Sequence, residues 1–399
     1  MLPRPLAARA NALSPSPTLS IDGKTKDLIQ AGQPVINLSA GEPDFPTPAN
    51  VAEAGIAAIR SGFTKYTAAQ GTMELRAAIC QKLWNDNGLS YEPSQVVVST
   101  GAKQSLFNAL MVLCQPGDEV LVPAPWWVSY PEIVKLTGAK PVFVPSDPAR
   151  GFALTRDMVE PYVTGRTRAL IINSPNNPTG AVYSEEDLRG LAVLAVEHGL
   201  WVIADEIYEK LVYDGASHVS IASFGPEIKR QTIVINGMSK AFAMTGWRIG
   251  YAASEPEVAK AMTALQSHTT SNPNSIAQKA ALAALTGPQE AVAAMVAAFD
   301  ERRRAMVAGL RELPGVRCEY PAGAFYAFAD VRGLVGTTIR GRLVADDYAL
   351  AEIFLEEAMV ATVPGTAFGM PGFLRLSYAA SLEDIREAMR RLDNLLREA

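Results

Sequence analysis

Lys240 lies in the stretch NGMSKAFAMTGWRIGY (236–251), among small and apolar residues and eight positions before Arg248. A charge in a poorly solvated place is costly unless it is paired or neutralised. The lysine is therefore either a surface residue on a glycine-rich loop or a buried amine used for chemistry. Asp205 ends the apolar run LWVIAD and is followed by Glu206, Ile207 and Tyr208. A carboxylate at the end of a buried strand needs a cationic or donor partner. It is either a helix N-cap or a counter-ion for a protonated ring nitrogen. Asn177, in NNPTG, is a turn former or a hydrogen-bonding group. Arg248, between Gly246 and Gly250, is a surface arginine or a guanidinium that clamps a phosphate. Trp126 and Trp127, in PAPWWVSY, belong to the core or stack on a planar ring at a site mouth. STGAKQSLFNAL reads as a strand, a glycine turn and a helix start, whose unpaired N–H groups and dipole suit a phosphate. Each feature alone has a structural explanation. Together they supply a phosphate turn, an arginine, a carboxylate, a hydrogen-bonding Asn and Tyr, a stacking aromatic and a lysine. These are the parts needed to hold pyridoxal phosphate and join it to a lysine as a Schiff base.

Positioning such parts requires a frame. Short β-rich runs alternate with longer helical patterns, the mark of an α/β fold. The runs lie near 95–99, 118–123, 140–145, 168–173, 200–205, 232–236 and 248–253. They are nearly all apolar, as strands buried on both faces should be. Between them, SEEDLRGLAVLAVEHG (184–199) has the apolar spacing of a helix packed on a sheet. The polar signals fall where strands stop: STGAKQS after the first run, NSPNNPTG after the fourth, DEIY after the fifth and NGMSK after the sixth. Ligands of open α/β sheets bind beyond the carboxyl ends of the strands, so four loops distant in sequence can converge on one site. The expected organisation is a large domain over 50–290, with a mostly parallel seven-stranded sheet covered by helices. A smaller α+β domain joins the N-terminal arm (1–49) to the C-terminal part (291–399), with FYAFADV and FLRLSYA as strands.

Composition narrows the function classes. The chain has 399 residues, 48% apolar and 19% charged, with a formal net charge of −5. That is ordinary for a globular protein and gives no basic footprint for nucleic acid. Cys80, Cys114 and Cys318 are far apart and read as reduced thiols of a cytoplasmic protein. Three histidines, His198, His218 and His268, make a multi-histidine metal site an unfavoured reading. No apolar run approaches the ~20 residues of a membrane span. The opening MLPRPLAARANALSPSP lacks the apolar core of a secretory signal and reads as a loosely ordered arm. Neither GxGxxG nor GxxxxGK[ST] occurs, so a dinucleotide or nucleoside triphosphate is not indicated.

NSPNNPTG, ADEIYEKLVYDG and NGMSKAFAMTGWRIGY resemble the fold-type I pyridoxal-phosphate aminotransferases, and within them the class I bacterial aspartate aminotransferase branch. SAGEPDFPTP (39–48), TKYTAAQGTMELR (64–76) and LRLSYA (374–379) extend the likeness, in order, over nearly the whole chain. The resemblance implies that Lys240 is the Schiff-base lysine and proton shuttle, and that Asp205 pairs with the pyridinium nitrogen. Tyr208 and Asn177 would hydrogen-bond the ring oxygen. Arg248 and the loop Gly101, Ala102 and Lys103 would hold the phosphate, with Ser239 among the cofactor-binding residues. Trp127 would stack on one ring face and Ile207 on the other. Tyr66 would reach the phosphate of a neighbouring subunit, which implies a homodimer with shared sites. Arg375 would bind the substrate α-carboxylate as a fork, helped by Gly41, Trp127 and Asn177.

Substrate choice lies in whatever meets the side chain. One aspartate aminotransferase branch uses a partner-subunit arginine for the distal carboxylate. SHTTSNPNSIAQ (267–278) contains none. That resembles the other branch, where arm residues and a lysine serve and the arm closes over the site. Thr18, Ser20 and Lys103 are the candidates. The expected activity is transfer of an amino group, from aspartate before others, to 2-oxoglutarate by a ping-pong mechanism. Aromatic amino acids and prephenate are alternatives, although Ser14 stands where prephenate-using members carry a basic residue. A carbon–sulfur β-lyase and a regulator with a retired aminotransferase domain are the other classes. The stretch before SAGEPDF is short for the DNA-binding domain of such a regulator.

Overall fold

The apolar runs pair into one sheet. The computed structural model describes residues 7–14 and 17–398. In chain order the strands are β1 (Val96–Ser99), β2 (Glu119–Pro123), β3 (Lys140–Val144), β4 (Thr167–Asn173), β5 (Trp201–Asp205), β6 (Thr232–Gly237) and β7 (Gly250–Ala253). Their spatial order is β1-β7-β6-β5-β4-β2-β3. β7 alone runs antiparallel to its neighbours. Its first residue, Gly250, lies opposite Ser99 and Gly237, the last residues of β1 and β6. The chain therefore enters β7 at the edge where the other strands end. Central strands are buried on both faces, in keeping with their apolar sequence. Of the two edge strands, β1 is buried as well, whereas β3 is more open, with Phe143 42% exposed.

The helices that matter to the site are α1 (Pro17–Gln30), α2 (Ala102–Leu113), α3 (Glu185–Glu197), α4 (Pro256–Thr269), α5 (Glu290–Glu312) and α6 (Leu382–Arg397). Ser184 caps α3, its Oγ accepting from the Asp187 N–H at 3.1 Å, which is the local reason that the helix begins there. Gly101 precedes α2 with φ of 80°, a conformation that favours glycine.

A second sheet is antiparallel throughout, with β8 (Tyr326–Asp330), β9 (Val363–Pro364) and β10 (Phe373–Ser377) in the order β9-β10-β8. It shares one apolar core with α5 and α6, through Phe299, Leu310, Leu376 and Leu392. Ile36 and Leu38 from the N-terminal part join that core. There, Ile36–Asn37 pairs in parallel with Val360–Ala361, a contact that two-residue strands do not announce in sequence. Ile207 and Tyr208, from the loop after β5, belong to the same cluster. The carboxyl edge of the large sheet is thereby packed against the small one. No single helix among the described residues is long and apolar enough to cross a membrane.

Candidate active site

A cavity of about 430 Å³ opens at that edge. Lys240 reaches it from the turn after β6, and its Nζ donates to the Gly41 carbonyl at 2.5 Å. Burial lowers the amine's pKa to about 8; Glu42 and Asp205 oppose the shift, while Arg375 and Arg248 add to it. Asp205, at the end of β5, is buried and raised by that burial to about 6. Its Oδ2 accepts from Tyr130 Oη at 2.7 Å, and its Oδ1 from the Ile207 N–H at 3.3 Å. Both bonds favour the ionised form, because a donor aimed at a carboxylate stabilises its charge. The chain after Asp205 forms a turn and not a helix, so the N-cap reading fails. Among the described residues no cation forms an ion pair with it.

The turn from β1 into α2 presents helix N–H groups to the cavity. A Cβ on Gly101 would meet the Arg248 guanidinium, with Nη2 at 2.5 Å. A Cβ on Gly250 would overlap the Ala102 nitrogen. Two missing side chains thus let Arg248, itself at φ of 58°, fold over the start of α2. Its Nη1 donates to the Thr245 carbonyl at 2.9 Å. Lys103 sits 4.9 Å above the Trp127 ring. Burial, with Arg248 repulsion, lowers its pKa. Trp127 lines the cavity, whereas Trp126 stacks on Phe143 at 4.1 Å and serves packing.

Arg375, on β10, is the buried cation of the small sheet. Its Nη1 donates to Asn177 Oδ1 at 3.0 Å and its Nη2 to the Ser39 carbonyl at 2.7 Å. Its Nε has no hydrogen-bond partner among the described residues. The guanidinium lies 4.4 Å from the Tyr326 ring, and burial lowers its pKa. Tyr208 and Tyr326 share a hydroxyl–hydroxyl bond of 2.9 Å, and burial pushes the Tyr208 phenol up. Asn177 is held by its own N–H, which donates to Asn173 Oδ1 at 2.9 Å.

The family profile "Aminotransferase class I and II" matches residues 33–392. The chain belongs to this family. The aspartate aminotransferase of Geobacillus stearothermophilus is 48% identical over 98% of both chains. The aspartate/prephenate aminotransferase of Cereibacter sphaeroides is 48% identical over 95% of this chain and 96% of its own. The crystal structure of the Rhizobium meliloti aspartate aminotransferase superposes with a TM-score of 0.95, at 44% identity and 99% coverage of each chain. The protein is an aminotransferase of the α/β fold-type I class.

In this aminotransferase the cavity is lined by Gly41, Ala102, Lys103, Trp127, Asn177, Asp205, Ile207, Tyr208, Ser239, Lys240, Arg248 and Arg375. Gly101 lies behind the lining, and Tyr66 lies outside it, 89% exposed. Thr18 lines the cavity, while the side chain of Ser20 is outside the described residues. Sequence reasoning missed Tyr130, Tyr326, Asn173 and Glu42. Asn173 was findable, because it is a polar residue ending an apolar strand, as Asp205 is. Glu42 accepts from Thr245 Oγ1 at 2.8 Å; nothing in SAGEPDF marks that contact.

Proposed function

We propose that this aminotransferase uses pyridoxal 5'-phosphate to move the amino group of L-aspartate to 2-oxoglutarate. One observation carries the reading. A lysine amine of lowered pKa, a buried carboxylate with no ion-pair partner among the described residues and a buried guanidinium with a spare N–H line a single cavity. The donor set fits the cofactor: the Gly101 position leaves room for Arg248 beside the N-terminus of α2, a charge and dipole arrangement suited to a phosphate. When bound, the cofactor supplies a protonated ring that takes up negative charge from the substrate's α-carbon. Lys240 would attach it and act as the base, which a pKa near neutrality favours. Asp205 would face the ring nitrogen, Tyr208 and Asn177 the ring oxygen, and Trp127 and Ile207 the two faces. Arg248, Ser239 and the turn Gly101, Ala102 and Lys103 would hold the phosphate. Arg375, with Asn177 and Gly41 beside it, would bind the α-carboxylate.

Lys103 and Thr18, both in the lining, support recognition of a distal carboxylate. The names of the Geobacillus and Rhizobium relatives favour aspartate, and that of the Cereibacter relative keeps prephenate as the second reading. We further propose a homodimer in which Tyr66 serves the partner's phosphate, which its exposure supports. The working division is an arm (1–49), a larger unit (50–290) and a smaller unit (291–399). The free thiols of Cys80, Cys114 and Cys318 suit a reducing cytoplasm. The test is glutamate formation from 2-oxoglutarate with single amino acids. Aspartate should be the best donor. Faster aromatic donors would overturn the substrate assignment, and release of pyruvate and ammonia from cystathionine in its place would overturn transamination. Glutamate as donor to prephenate tests the second reading.

A further inference from the structure

Gln266, on α4, is fully buried, and its amide makes four hydrogen bonds. Its Nε2 donates to the carbonyls of Ala69 and Val98 at 2.6 and 2.8 Å. Its Oε1 accepts from Ser99 Oγ at 2.7 Å and Asn108 Nδ2 at 2.9 Å. Ser99 ends β1 and Asn108 lies on α2, so one side chain holds both arms of the turn that leads into the helix. A second tie runs parallel to it: Gln104 Oε1 accepts from the Thr100 N–H at 2.6 Å, and its Nε2 donates to Thr270 Oγ1 at 2.5 Å. Packing alone does not explain a buried amide here. Leu or Met would fill the space without the cost of desolvating polar groups. With four partners the amide has one orientation, and it transmits that orientation to the turn. Neither Gln266 nor Ser99 lines the cavity.

We propose that Gln266 is a positioning residue, which sets the Thr100–Lys103 turn at the geometry that a phosphate needs. The proposal rests on the reading that this turn holds the cofactor phosphate. The experiment compares dissociation constants of pyridoxal 5'-phosphate and of pyridoxal for the cofactor-free protein, read by tryptophan fluorescence. Gln266→Met should weaken the phosphorylated ligand about tenfold, the loss of one to two buried hydrogen bonds, and leave pyridoxal within about twofold. Ser99→Ala removes only the bond to the turn and should lose phosphate selectivity in the same direction. It keeps the test decisive if Gln266→Met does not fold. Losses equal for both ligands, or absent for both, in a protein whose wild type prefers the phosphate, overturn the proposal alone. A wild type that binds the two ligands equally overturns the phosphate-turn reading and the proposal with it.

Discussion

The amine of Lys240 is held by the Gly41 carbonyl and surrounded by groups of both signs. Burial wins, and the pKa falls to about 8 from the ordinary lysine value of about 10.5. The lowered value means that the free base is present at lower pH than in an exposed lysine. The rate at which cofactor-free protein reacts with pyridoxal phosphate is therefore expected to rise with pH and level off just above 8. A rate still climbing toward 10, followed by absorbance, would show that the amine is not desolvated. This residue was legible because a charge in an apolar stretch is anomalous. Asp205 was legible for the same reason. Tyr130 and Tyr326 were not, because a tyrosine in an amphipathic segment is ordinary core. Their importance lies in where the hydroxyl points, and that is decided by packing between elements. Tyr130 reaches Asp205 because it stands in the first turn of the helix Ser129–Leu136, which begins just after β2 ends at the carboxyl edge of the sheet.

At the scale of elements, the strands could be read because burial on both faces demands unbroken apolar runs. The edge strand β3 was still legible, from the run at 140–145, whereas the pairing of Ile36–Asn37 with Val360–Ala361 was not. A two-residue strand is too short to have a period. The two glycines flanking Arg248 looked alike in sequence and differ in the fold. A Cβ on Gly250 overlaps the backbone of Ala102, whereas one on Gly246 meets nothing within 4 Å. Gly250→Ala is expected to cost about 1–3 kcal/mol of stability through overpacking and to weaken cofactor binding as α2 shifts. Gly246→Ala should change either by no more than about 0.5 kcal/mol. Thermal unfolding and cofactor titration of the pair check this, and equal effects would remove the special place given to the contact between β7 and α2.

Across the whole molecule, the site draws on both sheets: Arg375 comes from the small one, and Lys240 and Asp205 come from the edge of the large one. Tyr66 stands apart, 89% exposed. The proposed dimer gives it a task, and two results are expected. The protein should sediment at twice the chain mass. Tyr66→Phe should weaken the phosphorylated cofactor about tenfold, as loss of a hydrogen bond to a charged group does. A monomer at working concentration, or a Tyr66→Phe protein with unchanged affinity, would sink the shared-site reading. The reversed course of β7 has one further consequence. Because β6 leaves the sheet and β7 re-enters it at one edge, Lys240 and Arg248 ride on a single closed span from Gly237 to Gly250. Its length is a shared setting. Adding or deleting a residue there would mis-set the amine and the anion clamp together, while the opposite edge of the sheet, where Ala253 gives way to α4, leaves both tools untouched.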